Sequence, residues 1–471
     1  MSAPAAPLLV YGLGRSGLAV VRRARAAGQP VAFYERRQAG ADVAEALGLG
    51  AERLPDVAAW LAAGARPGVA VAAPGVPIDH PDLARLRAAG GEVIGEVEWV
   101  YRRVPGRYLA VTGTAGKGSV TRWSGDTLAA AGYDVAVGGN IDPALAAVAR
   151  PGALHVVEMS SFQLERCPTF APDVAVLLNL GEDHIDRHGS VAAYHAAKRQ
   201  LVANLRPGQR AVVNADDPLL AGWARELEGA GVDVLRFSLA GPADAYRDAD
   251  GLLWLAGEPL LHESDLHVLG AHQVANGLAV ALACAALGVG GAQLTAGLRG
   301  FTGLPGRYAA AGSVGGVRFV EDSIATRPLA VRAALEATPR PLVWLAGGQA
   351  KGAAVEELAP LVAETVDLLV TFGESGAAFA EAFAGVTEVA RCSEPDGDAT
   401  MRCLVDTALA YLRERHGGVG HVLLAPLAAS FDQFPDYRAR GQAFRLAVAA
   451  AGAASGSDGA ARGSAAPAEG A

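Results

Sequence analysis

The chain has 471 residues, room for about three domains at 100–200 residues apiece. With 40 basic against 49 acidic residues its formal charge is -9, which argues against a nucleic-acid-binding surface built on clustered positive charge. The start, MSAPAAPLLVYG, lacks the basic and apolar segments of a signal peptide. The four cysteines (Cys167, Cys284, Cys392, Cys403) make no C-x-x-C pair and no regular framework. A soluble, cytoplasmic protein with reduced thiols is therefore expected; a monomer is the further expectation, which composition does not establish.

In chain order, the apolar run Leu8 to Tyr11 predicts a strand. It leads into a glycine turn, a helix from Gly17 to Ala27 and a second strand, Val31 to Tyr34. Residues 1–97 thus read as a small α/β domain. A second domain, 98–303, opens on the strand Tyr108 to Thr112 and continues through His155 to Glu158, Val174 to Asn179 and Ala211 to Asn214. Residues Val274 to Leu298 carry no charge, but Gly288, Gly290 and Gly291 leave less than the ~20 apolar residues of a membrane span, so an Ala-rich core helix is expected. A third domain, 304–452, repeats the alternation through Phe319, Leu342 to Ala346, Leu368 to Thr371 and Val422 to Ala425. Strands alternating with helices predict an α/β chain of three doubly wound, parallel-sheet domains. The tail 453–471 has too little apolar content to pack and reads as disordered.

Of the 40 basic residues 37 are Arg, leaving Lys117, Lys198 and Lys351. A lysine retained in such a chain is a candidate for work a guanidinium cannot do: a compact charge on a phosphate, or an amine that sheds its proton and reacts.

Gly12, Gly14 and Gly17 make a G-x-G-x-x-G turn between strand and helix, with Glu35 ending the next strand. The pattern predicts a diphosphate at a helix N-terminus without naming the nucleotide; an NAD-dependent oxidoreductase and a purely structural turn both stay open. A stronger signal is Gly113-Thr114-Ala115-Gly116-Lys117-Gly118-Ser119, after a strand and before a helix. Its backbone N–H groups can wrap phosphates while Lys117 reaches the β- and γ-phosphates. Glu158 and His184 end two further strands, whose C-termini converge on the ligand crevice of a doubly wound sheet, where a nucleotide-bound Mg²⁺ takes its ligands. His184 and His188 lack the glutamate that a zinc protease places after the first histidine.

The runs GTAGKGS, VVEMSSFQLE, NLGEDHIDRH and AAKRQ, in this order, resemble the Mur ligase family of peptidoglycan synthesis, whose relatives include folylpolyglutamate synthases. TGLPGRY, EDSIAT, LAGGQAKG and LLAPLAASFDQFPDYRARGQAF resemble the members that add D-glutamate, and the resemblance spans residues 7–450. It implies a Rossmann-like UDP-binding domain, a central P-loop ATPase-type domain and a C-terminal Rossmann-like domain. It also implies an ATP-dependent ligase that joins D-glutamate to UDP-N-acetylmuramoyl-L-alanine through an acyl phosphate, with two Mg²⁺ ions. By this resemblance Leu13, Gly14, Arg36, Arg37 and Asn140 bind the UDP substrate. Gly113 to Ser119, Arg307 and Asp322 bind ATP, and Lys117, Lys198 and His184 are catalytic. Glu158, His184, Ser119 and a carbamoylated Lys198 are implied as metal ligands, and Thr326, Lys351, Ser430 and Tyr437 as the D-glutamate site. Gly118, Gln273 and Ile324 stand where relatives usually carry a hydroxyl residue, Asn and Lys.

Overall fold

The computed structural model describes residues 7–66, 68–268, 270–349 and 355–462. Three sheets organise them. Strands β1 (Leu8–Tyr11), β2 (Val31–Tyr34), β3 (Glu52–Arg53), β4 (Val69–Ala72) and β5 (Glu92–Ile94) form a five-stranded sheet in the order β3-β2-β1-β4-β5, every pair parallel. All four residues of β1 are buried, as a central parallel strand covered on both faces requires.

The second sheet has nine strands: β6 (Arg107–Thr112), β7 (Val135–Gly139), β8 (Leu154–Glu158), β9 (Val174–Leu177), β10 (Arg210–Asn214), β11 (Asp233–Ser238), β12 (Ala245–Arg247), β13 (Leu252–Leu255) and β14 (Glu258–His262). Their order is β14-β13-β12-β11-β10-β9-β6-β8-β7, parallel from β7 to β12 and antiparallel beyond. The third sheet, β15 (Ala309–Val314), β16 (Gly316–Glu321), β17 (Leu342–Gly347), β18 (Leu368–Phe372), β19 (Glu388–Arg391) and β20 (Val419–Leu424), runs β15-β16-β20-β17-β18-β19 with only β15 antiparallel. The parallel reading therefore holds for the sheet centres and gives way at two edges, where short hairpins replace helical crossovers. The first two sheets lie in one compact unit that ends at Phe301, and the third in another that resumes at Thr302.

The uncharged stretch after Val274 divides into two helices, Ala271–Ala286 and Gly291–Gly300. Among the described residues no helix is long and apolar enough to cross a membrane. Two expectations are corrected. The last helix runs Tyr437–Arg462, past residue 453, where a disordered tail was expected; residues 463–471 lie outside the described residues. Cys392 and Cys403 are joined as a disulfide, while Cys167 and Cys284 remain buried thiols. The helix Gly397–His416 packs on β18 and β20 and brings the two Cα atoms to 6.1 Å, a bridging distance that a spacing of eleven residues does not reveal.

Candidate active site

At the end of β1, Gly12 adopts φ 88°, and a Cβ on Gly17 would stand 2.0 Å from the Gly12 carbonyl oxygen, so position 17 admits only glycine. The helix Arg15–Ala26 starts from Gly14 with no side-chain cap, which leaves its first-turn N–H groups to solvent or an anion. Leu13 N–H donates to Glu35 Oε2 (2.9 Å), and Arg37 donates to Oε1 from its backbone (3.0 Å) and its Nε (3.2 Å). Burial pushes the Glu35 carboxyl up, but these donors outweigh it and hold the group below its ordinary range. Glu35 is thus committed to shaping the turn, which leaves the oxidoreductase reading without its ribose-holding acid. Arg36 and Arg37 are exposed beside it. Across to the second sheet, Arg15 donates to the Asn140 carbonyl (3.0 Å) and pairs with Asp142 (3.3 Å), so the glycine turn and Asn140 share one neighbourhood.

The phosphate loop follows β6. Gly116 takes φ 82°, and Asn276 Oδ1 would stand 2.6 Å from any Cβ placed there. The helix Lys117–Ala130 starts without a side-chain cap, again leaving N–H groups for an anion. Asn179 grips the loop from below: its carbonyl accepts from Thr114 N–H (3.0 Å) and its Oδ1 from Ala115 N–H (2.8 Å). Lys117 Nζ donates to the carbonyls of Gly113 and Thr114, both at 2.8 Å. Lys198, only 1 % exposed, donates to the same Gly113 carbonyl at 2.7 Å and lies 4.5 Å over the Tyr194 ring. Burial, and then the Lys117 charge, lower its pKa to about 7. Ser119 lies buried in the first turn of the helix, with Gly118 before it.

Glu158 is buried at the end of β8, and its Oε1 accepts from Asn140 Nδ2 at 2.6 Å. His184 sits at φ 52°, a left-handed conformation that costs a non-glycine residue about 1–3 kcal/mol and is concentrated at functional sites. Its half-exposed ring lies 4.8 Å from that of Phe162 and 6.3 Å from that of Tyr194. Two lysines, a carboxylate, an imidazole and a hydroxyl therefore gather around the loop. The donor set suits a hard divalent cation accompanied by phosphate oxygens. No preformed group of three His, Cys, Asp or Glu side chains holds a metal among the described residues.

In the second unit, Asp322 is buried after β16, and burial raises its pKa to about 7 against the opposing charge of Arg307. Arg307 is exposed, Thr326 half-buried and Ser430 buried, and the Tyr437 ring packs on Gly306. Lys351 lies outside the described residues. Three residues escaped the sequence reading. Asn276 is buried under Gly116 and bonded to Gln273 Oε1 (3.1 Å); Tyr194 donates to Thr114 Oγ1 (3.2 Å). Arg440, fully buried, donates to Ser323 Oγ (3.0 Å) and to the carbonyls of Ser323 (2.8 Å) and Ala428 (3.1 Å), tying together the loops that follow β16 and β20.

Comparison with known proteins agrees with this geometry. The Mur ligase middle domain matches residues 111–284, and the Mur ligase glutamate ligase domain matches 306–424. The UDP-N-acetylmuramoylalanine–D-glutamate ligase of Thermus thermophilus is 45% identical over 94% of this chain and 97% of its own length. That of Deinococcus radiodurans is 40% identical over 94% and 92%. Among solved structures, UDP-N-acetylmuramate–alanine ligase from Thermotoga maritima superposes with a TM-score of 0.54 at 18% identity, covering 94% of this chain and 99% of its own. A UDP-N-acetylmuramoyl-L-alanyl-D-glutamate–2,6-diaminopimelate ligase reaches 0.56 at 18% identity over 94% and 92%, which shares the fold. With its phosphate loop, its two retained lysines around Gly113 and relatives that match it almost end to end, the chain belongs to the Mur ligase family.

Proposed function

We propose that this enzyme adds D-glutamate to UDP-N-acetylmuramoyl-L-alanine at the expense of ATP, forming an acyl phosphate on the way to a peptidoglycan precursor. The observation that carries the reading is Lys117 and Lys198 meeting at the Gly113 carbonyl, in a chain that otherwise uses arginine. The carboxylate of the substrate attacks the γ-phosphorus, and ADP leaves. Lys117 lies where it can leave its two carbonyl partners for the transferring phosphoryl group. Bound Mg²⁺, as two ions, would supply positive charge that offsets the charge developing on the transferring phosphate. Glu158, His184 and Ser119 would hold these ions, with Lys198 contributing oxygens as a carbamate. The buried Lys198 amine is available in neutral form for that modification. The D-glutamate amine then attacks the acyl carbon, the C–O bond to phosphate breaks, and inorganic phosphate departs with one oxygen that began in the carboxylate.

Thr326 and Ser430, with Lys351, offer two hydroxyls and a cation for a small dicarboxylate; Tyr437 belongs to the same acceptor region. Arg307 and Asp322 position the nucleotide. Leu13, Gly14, Arg36, Arg37 and Asn140 hold the UDP substrate. The enzyme acts as a monomer in the cytoplasm, where ATP is supplied, and serves cell-wall growth, cell shape and division. Substrate labelled with ¹⁸O in its carboxylate tests the chemistry: the released phosphate should carry one label, and unlabelled phosphate would refute the acyl phosphate.

A further inference from the structure

Around His184, aromatic and guanidinium groups form an arrangement that the chemistry above leaves unused. Phe162 lies 4.8 Å from the His184 ring, and the Arg187 guanidinium lies over the same phenyl ring, 5.2 Å from its centroid. Arg187 also donates to Glu165 Oε2 (3.0 Å) and to the Val76 carbonyl (3.3 Å), in the turn after β4 of the first sheet. Arg166, 2 % exposed, donates to the same Val76 carbonyl and to that of Ala73 (3.3 Å). His188 fixes the frame, with Nδ1 3.1 Å from Glu165 Oε1 and Nε2 3.0 Å from Ser161 Oγ. On the far side, Ala73 and Val76 pack on the glycine turn: a Cβ on Gly12 would stand 3.0 Å from Ala73 Cβ and 3.7 Å from Val76 Cγ2. Continuous contacts thus run from the turn proposed to hold the UDP substrate to His184. Asp183 Oδ2 stands 3.4 Å from His184 Nε2.

We propose that Arg187 and Phe162 are positioning residues that orient His184 according to the state of the Ala73–Val76 turn, so that UDP-substrate binding prepares the metal site. This deepens the assignment of His184 as a metal ligand and rests on it. Occupancy of the glycine turn shifts the Val76 carbonyl, Arg187 follows it, and the phenyl face against which His184 rests moves with the guanidinium. His184 is half-exposed, and among the described residues its ring lies closer to Phe162 (4.8 Å) than to Tyr194 (6.3 Å).

The test measures Mn²⁺ binding by electron paramagnetic resonance, with a non-hydrolysable ATP analogue present and with or without UDP-N-acetylmuramoyl-L-alanine. In the wild type the UDP substrate should tighten Mn²⁺ binding on the order of 10-fold, within the usual range of coupling between sites. Phe162→Leu and Arg187→Lys should each weaken Mn²⁺ binding in the presence of that substrate by roughly 10-fold, the scale expected for groups that orient a metal ligand. Both should abolish the coupling and leave substrate affinity without metal unchanged. Should Arg187→Lys not fold, Phe162→Leu keeps the Val76 and Glu165 bonds and decides alone. Retention of wild-type coupling in Phe162→Leu overturns the relay, and so does an equal loss of substrate affinity in the absence of metal. A His184→Ala variant separates the two levels: unchanged Mn²⁺ affinity there removes the metal assignment and the relay with it, whereas weakened affinity with coupling intact in Phe162→Leu removes the relay alone.

Discussion

Replacing Lys198 by arginine conserves charge and nearly conserves bulk, yet the surroundings of this side chain make the exchange severe. The amine is 1 % exposed, bonded at 2.7 Å to the Gly113 carbonyl and placed beside Lys117, and its pKa falls to about 7. At pH 8 a lysine at its ordinary value near 10.5 is about 0.3 % neutral, whereas one at about 7 is about 90 % neutral, roughly a 300-fold gain in the form that attacks CO₂. Arginine stays protonated throughout and cannot form the carbamate. Losing an anionic group that counters the metal charge should lower turnover by about 10²–10³. Phosphate release, followed for Lys198→Arg and Lys198→Ala, measures this directly. Acetate or formate should partly restore Lys198→Ala by supplying carboxylate oxygens, and should do nothing for Lys117→Ala, whose missing group is a cation. Wild-type turnover in Lys198→Arg, or wild-type enzyme indifferent to removal of CO₂ from the buffer, would refute the reasoning.

Lys117→Ala should fold normally and lose on the order of 10²–10³ in turnover, since the group it removes stabilises charge that develops on the phosphoryl group; near-normal activity in the folded variant would remove the phosphate-loop assignment. Asp322 bears on stability: burial raises its folded pKa to about 7 from 3.8, so the native state holds a proton that the unfolded chain releases between these values. That contribution is fully present below pH 4 and is lost as pH rises through 7, a change on the order of 4 kcal/mol. Denaturant titrations of Asp322→Asn should show this slope flattened, and an unchanged slope would mean that the carboxylate is solvated as in the unfolded chain.

The parts of the site legible in the sequence are those where chemistry restricts the residue type. A backbone that wraps phosphate needs glycine at Gly116, because φ is positive there and Asn276 fills the space of a Cβ. Retained lysines stood out because arginine had replaced lysine elsewhere. The same drift hid Arg440, one of 37 arginines, whose importance lies in the three loop atoms it bonds rather than in any local pattern. Asn276 is a polar position in an alanine-rich helix that no motif marks; the packing of that helix beneath the phosphate loop gives it a role. Ala245–Arg247 is three residues of mixed polarity, too short to show a period, and tertiary pairing alone makes it a strand. The disulfide depends on where the helix Gly397–His416 comes to rest after β19, a tertiary relation that a spacing of eleven residues does not encode.

The central claim is that D-glutamate is the acceptor. Phosphate release from ATP should be followed with UDP-N-acetylmuramoyl-L-alanine present and D-glutamate, L-glutamate, L-alanine or L-lysine offered in turn, with mass spectrometry of each nucleotide product. Stoichiometric phosphate and a single glutamyl adduct are expected with D-glutamate, and neither with L-lysine. Equal rates with D-glutamate and L-lysine, or turnover with D-glutamate that does not require the UDP substrate, would contradict it.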